Sequence, residues 1–259
     1  MTQLTDEPRS VAFVDVSVVP MDRPQILPHH DVLVDDGRIV ALQPTGALAA
    51  PAGLLRVDGQ GKYLLPGLAD MHVHFPEGAF DLLFLAHGVT TVRNMWGRPE
   101  TVVRRAAIAE GRLRSPHLFT CGPIVDGTPP VWPGSVVVET AEAAERVVAE
   151  HVATGYDFLK IYDNLSPLVY DTLLGAAHQQ SLRVVGHVPC RVPLQQALAA
   201  GQASLEHLYG YFEAAQANDS PLQGQPPSRA PRRMWIRTSC VRSRRQRQRP
   251  AFGTVQRWS

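Results

Sequence analysis

Two histidines one residue apart, His72 and His74, stand at the end of the run Leu65-Pro66-Gly67-Leu68-Ala69-Asp70-Met71-His72-Val73-His74-Phe75. A strand turns every second side chain to the same face, so both imidazoles project together and one metal ion can be gripped by both. Single candidate ligands follow on other strand-like segments: Lys160 in Phe158-Leu159-Lys160-Ile161-Tyr162, His187 in Val184-Val185-Gly186-His187-Val188, and His207 in Ser204-Leu205-Glu206-His207-Leu208. Neutral imidazole suits zinc and related divalent ions, whereas an ordinary lysine ammonium repels them. A lysine in such a set makes chemical sense if its amine has reacted with carbon dioxide, giving a carbamate whose oxygens can bridge two cations. Arginine cannot take that place. Lys62 and Lys160 are the only lysines among 25 basic residues, so the position of Lys160 asks for a reason.

Bringing these groups together requires parallel strands that end at one face. After Gly67 the sequence alternates strand-like and helix-like stretches, the pattern of βα units. Strands are expected near 69–75, 89–95, 117–125, 158–162, 183–188 and 203–208, and helices near 78–87, 100–111, 140–154, 167–180 and 192–200. The third helix is the clearest, with Thr140 as N-cap, Glu142 and Glu145 in its first turns, and Gly155 just beyond its end. Six such units predict an α/β fold, most of a (β/α)₈ TIM barrel, with every candidate ligand near the carboxyl end of its strand. The Pro- and Gly-containing stretch 126–139 reads as a long βα loop on that same face. Ahead of it, Val11 to Val57 reads as short strands with a turn at Asp35-Asp36-Gly37-Arg38, predicting a small antiparallel sheet. The expected domains are an N-terminal β-sheet subdomain (1–65), a partial barrel (66–219) and a basic tail (220–259).

Length and composition narrow the function classes. With 259 residues and 44% hydrophobic content, the chain can bury a sizeable core. Its apolar stretches are too short and interrupted for a membrane span, and its start lacks the basic-then-apolar order of a secretory leader, so a cytoplasmic location is the default expectation. Cys121, Cys190 and Cys240 show no paired spacing, which argues against a disulfide framework or a cysteine zinc knuckle. The formal charge of +1 conceals a break: all 24 acidic residues lie at or before Asp219, and ten arginines lie between Arg229 and Arg257. The tail has no periodicity and too little apolar area to offset its ordering entropy, and it is expected to be disordered.

The run Pro66-Gly67-Leu68-Ala69-Asp70-Met71-His72-Val73-His74, the segment His87-Gly88-Val89-Thr90-Thr91-Val92-Arg93, and the strands carrying Lys160, His187 and His207 resemble the amidohydrolase superfamily, within its imidazolonepropionase-like and prolidase-like branch. The resemblance covers roughly Val11 to Phe212. It implies that His72, His74, Lys160, His187 and His207 are metal ligands. In relatives with this pattern the first-strand histidines and a last-strand aspartate hold one ion, the fifth- and sixth-strand histidines hold the second, and a carboxylated lysine bridges them. It further implies hydrolysis of a C–N bond in a small amide or dipeptide substrate, with two divalent ions, zinc or a neighbour, activating water and polarising the carbonyl. The last-strand aspartate would move the proton to the leaving nitrogen. No Asp or Glu follows Asp219, so the catalytic aspartate is absent from this sequence and activity is expected to be impaired. The tail then reads as unrelated sequence after a truncation near Ser220, and an open six-strand barrel with two unpaired edges is expected to aggregate.

Three further residues are candidates for substrate contact: Arg93, just after the second strand, for a carboxylate or else a structural ion pair, and Tyr209 and Tyr211, beyond the sixth strand, as pocket lining or loop packing. Strand alternation places Glu206 on the face opposite His207. His87 is expected at a helix end, near the negative pole of the helix dipole, while His29, His30, His117, His151 and His178 are taken as solvent-facing or structural. Two other functions compete: a nucleic-acid or acidic-surface binder acting through the tail, which lacks interleaved aromatics and any recognisable module, and a pseudoenzyme that holds metal without turnover.

Overall fold

The computed structural model describes residues 10–48, 53–74 and 80–215, apart from the side chains of Phe212 and Glu213. Phe75, the start of the helix expected from Gly78, and the Arg-rich tail lie outside the described residues. The chain divides into two compact units, Met1–Leu68 and Ala69–Ser259.

In the first unit, β1 (Ser10–Val18), β2 (Leu27–Asp35) and β3 (Arg38–Pro44) form an antiparallel meander. Its β2–β3 turn is the one expected: Asp36 and Gly37 both take positive φ, 46° and 73°, and Asp35 pairs with Arg38, the geometry that two-residue hairpins favour. The expectation of a purely antiparallel sheet needs correcting. Both β4 (Leu55–Asp58) and β5 (Tyr63–Leu64) pair with β1 in parallel, so the five-stranded sheet is mixed. Val16, Val18 and Val32 form its small core.

From β6 (Leu68–Val73) onward, strands and helices alternate: α1 (Phe80–Ala86), β7 (Val89–Asn94), α2 (Pro99–Ala109), β8 (His117–Thr120), α3 (Ala141–Thr154), β11 (Phe158–Ile161), α4 (Pro167–Gln179), β12 (Arg183–Gly186), α5 (Leu194–Ala199), β13 (Ser204–Leu205) and α6 (Tyr211–Ala215). Between β8 and α3, short strands β9 (Val125–Asp126) and β10 (Val136–Val137) pair with each other in parallel. They split the strand expected over 117–125 and put structure into what reads as a long loop.

The parallel orders are β6-β7-β8 and β10-β9-β11-β12-β13, joined by a parallel bridge between Cys121 and Phe158. Thr140 caps α3 by accepting from Ala143 N, and Gly155 ends it in the left-handed conformation at φ 84°. The main core lies where α3 and α4 cover the sheet, with Val148, Leu159, Leu165, Val169 and Leu173 fully buried. Each large aliphatic side chain buried there contributes about 1.5–3 kcal/mol. All four residues of β11 are buried, Lys160 included.

Candidate metal centre

Each candidate ligand sits at or just past the carboxyl end of a parallel strand. His72 lies within β6 and His74 directly after it, Lys160 within β11, His187 directly after β12, and His207 two residues beyond β13. The four imidazoles form a chain of ring contacts: His74 to His72 with centroids 5.6 Å apart, His72 to His207 at 4.6 Å, and His207 to His187 at 5.1 Å. His187 reaches this place because Gly186, at φ 124°, lets β12 pass close to β11. A Cβ there would stand 2.3 Å from the Ile161 carbonyl oxygen, so no other residue fits.

Two of these rings are oriented by carboxylates. His187 Nδ1 lies 2.6 Å from Asp163 Oδ1, and His72 Nδ1 lies 2.7 Å from Glu206 Oε2. An ionised carboxylate only accepts, so Nδ1 carries a proton in both rings, and the neutral form of each ring has its lone pair on Nε2. His187 Nε2 is buried with no hydrogen-bond partner among the described residues. A buried imidazole nitrogen left unpaired is costly, and a cation is one group that would satisfy it.

Glu206 corrects the alternation reading. It is buried on the same side as the site, because the chain past β13 is not a strand: His207 and Leu208 take φ 59° and 61°, which breaks the two-residue alternation. Its carboxylate also accepts from Arg93 Nη2 and Ser204 Oγ, each at 2.6 Å. Burial alone would raise its pKa, but the hydrogen bonds from His72 and Ser204 and the charge of Arg93 hold it down at about 2. Arg93 donates as well to the Met71 carbonyl oxygen at 2.7 Å and to Ser204 Oγ at 3.1 Å. Its guanidinium is thus committed to the protein, the ion-pair alternative of the two readings of this residue.

Lys160 is 1% exposed, and its Nζ lies 5.7 Å from the centroid of the Tyr162 ring. Burial pushes the Lys160 pKa down, toward the free amine. Burial lowers His74 and His207 too, and the Lys160 charge lowers both further. Neutral imidazoles and an uncharged amine are the forms that metal binding and carbamate formation require. Among the described residues, no three His, Cys, Asp or Glu side chains gather in metal-holding geometry. A cation here would have to be held by pairs of these histidines with a further donor such as Lys160. Cys121 is no substitute, because burial pushes its thiol up to about 12.

Tyr209 packs on both His187 and His207, at 4.7 and 5.7 Å. Tyr211 is 43% exposed on α6, and no described contact joins it to the histidines. His87 stands just past α1 with Nδ1 2.8 Å from the Leu83 carbonyl oxygen, the helix-end position expected. Sequence reasoning missed Asp163, Trp96, Trp132 and Tyr162. Each follows the end of a strand or lies in the 126–139 stretch, which was the available signal.

No protein-family model matches the chain. Among curated proteins it is similar to the D-hydantoinase of Streptomyces coelicolor, 39% identical over 79 residues that make up 29% of this chain and 17% of that protein. It is also similar to adenine deaminase 2 of Shouchella clausii, 38% identical over 68 residues, 24% of this chain and 12% of that protein. Among solved structures it is similar to bottromycin amidohydrolase, with a TM-score of 0.70 and 29% identity over 80% of this chain and 44% of that one. A prolidase structure from Bifidobacterium longum shares the fold at a TM-score of 0.67 and 24% identity, over 77% of this chain and 54% of that one. The chain spans about half the length of these solved relatives and less than a fifth of the curated ones. The likeness to a solved amidohydrolase over four-fifths of this chain agrees with the local matches to a hydantoinase and a deaminase: the solved and the curated relatives alike are of the amidohydrolase superfamily.

Proposed function

We propose that this protein is a metal-dependent hydrolase of C–N bonds, amide or peptide-like, in a small substrate, built around two divalent cations bridged by carboxylated Lys160. On this reading the six βα units are part of a (β/α)₈ barrel, His72 and His74 hold one ion, and His187 and His207 hold the other, with zinc or a neighbouring divalent metal as the occupant. The observation that carries the proposal is the linked cluster of four imidazoles, from 4.6 to 5.6 Å between successive ring centroids, together with the buried Lys160, whose charge is felt at His74 and His207.

Bound there, paired divalent ions supply Lewis acidity toward a scissile carbonyl and toward water. The protein's own residues do the rest. Glu206 and Asp163 hold His72 and His187 with Nε2 free. Lys160, in an apolar strand, keeps its amine available for carbon dioxide. Delivery of a proton to the leaving nitrogen needs a carboxylate with freedom to exchange it. Glu206 lacks that freedom, being engaged by Arg93, Ser204 and His72.

Metal analysis of the purified protein, with and without bicarbonate, tests the centre. The expected result is about two zinc ions per chain, with occupancy raised by bicarbonate, and a large loss in Lys160→Ala. Equal metal content in the variant would refute the bridging role of Lys160.

A further inference from the structure

An unbroken series of aromatic side chains runs from His74, on one side of the histidine cluster, to His187 on the other. Trp96 meets His74 edge-on with centroids 5.9 Å apart, and Trp132 lies 6.3 Å from Trp96. The Trp132 indole Nε1–H donates to the Tyr162 hydroxyl at 2.8 Å, and the Tyr162 ring lies 3.9 Å from His187. These three aromatics follow the ends of parallel strands: Trp96 two residues after β7, Trp132 between β9 and β10, and Tyr162 directly after β11. Carboxyl ends of parallel strands are where sites of this architecture collect their substrate contacts.

The wall is built in advance of any ligand. Asp126 is fully buried, and its carboxylate accepts from Gly127 N and Val131 N at 2.9 Å and from Asn164 N at 2.7 Å. Asn164 Nδ2 donates in turn to the Pro129 carbonyl oxygen at 2.6 Å. The connection carrying Trp132 is thereby tied to the end of β11, and the indole is held by its N–H while the residue as a whole is 47% exposed. An indole held by its N–H with much of its surface left open is suited to stacking against a flat partner. Arg93, read from sequence as a partner for either a substrate carboxylate or a structural ion pair, is occupied by Glu206, so recognition along this wall falls to ring faces and the Tyr162 hydroxyl.

The geometry points to a substrate subsite along Trp96, Trp132 and Tyr162 that takes a flat, uncharged, unsaturated ring borne on the amide beside its scissile C–N bond. The substrate class is aryl or heteroaryl amides in preference to saturated ones. This assignment rests on the hydrolase reading of the histidine–lysine centre.

Acetanilide and N-cyclohexylacetamide are probes of similar size that differ in the planarity of one ring. Both are titrated into the full chain loaded with zinc, with binding read by ligand-observed NMR and zinc content measured on each sample. Acetanilide is expected to bind about three- to tenfold more tightly, with the preference abolished in Trp132→Ala and retained in Trp132→Phe. Equal affinity for the two amides, no binding of either, or a preference indifferent to Trp132→Ala overturns the subsite while leaving the metal centre standing. If the chain takes up no zinc, the hydrolase reading fails, and a ring preference that persists then marks a binding wall with no role in hydrolysis.

Discussion

His151 is a single buried group whose titration couples the stability of the fold to pH. It lies on α3 at 4% exposure, and its Nδ1–H donates to the Val147 carbonyl oxygen at 2.8 Å, beside the Tyr156 ring. Its Nε2 is buried with no hydrogen-bond partner among the described residues. Burial holds its pKa below the ordinary 6.5. The unfolded chain then binds more protons than the folded one at acid pH, so the contribution of His151 to stability is full above about pH 6.5 and is lost as pH falls through the folded pKa, at about 1.4 kcal/mol per unit of separation. Thermal melts of the parent and His151→Leu between pH 7.5 and 5 check this. The parent should lose melting temperature on acidification more steeply than the variant, and parallel declines would show that another group is responsible. Sequence alone reads His151 as solvent-facing or structural, because burial of one helix position depends on what packs over it.

Element-scale signals in α3 were legible for a local reason: caps act within one turn and need no distant partner. Thr140→Ala removes the acceptor for Ala143 N and should cost about 1 kcal/mol. Gly155→Ala should cost a similar ~1 kcal/mol through its left-handed backbone, since an added Cβ would meet nothing closer than 3.9 Å. Urea denaturation measures both, and because the two sites lie at opposite ends of the helix the losses should add in the double variant. The connection between β8 and α3 was less legible. Its order comes from Asp126, whose three backbone partners include Asn164, 38 residues away in sequence. No window of neighbouring residues reveals that bond.

At the scale of the molecule, Glu206 joins parts of the strand series that are far apart in sequence. It lies just past β13, yet it bonds His72 in β6 across 134 residues and Arg93 in β7 across 113. Glu206→Ala would leave the buried Arg93 guanidinium without its carboxylate and should destabilise the fold by about 3–5 kcal/mol. Glu206→Gln keeps the shape but loses the charge that fixes the His72 tautomer. It should weaken zinc binding about 10- to 100-fold with a smaller stability loss. Calorimetric melts and competitive zinc titration separate the two effects. Unchanged zinc affinity in Glu206→Gln would show that the contact serves folding alone.

By itself the sequence determined the α/β alternation, the caps of α3, the Asp36-Gly37 turn, and which histidines and lysine stand at strand ends. Those features follow from side-chain periodicity and short-range hydrogen bonds, which act between neighbours. Only the tertiary structure decided that Glu206 turns toward the histidines, that Arg93 is committed to it, that β4 and β5 run parallel to β1, and that Trp96, Trp132 and Tyr162 form one wall. Each of these depends on a partner brought in from a different strand or loop, and on backbone turns such as those at His207 and Leu208 that override alternation. Local pattern carries no record of such encounters, because they exist only once the chain has closed on itself.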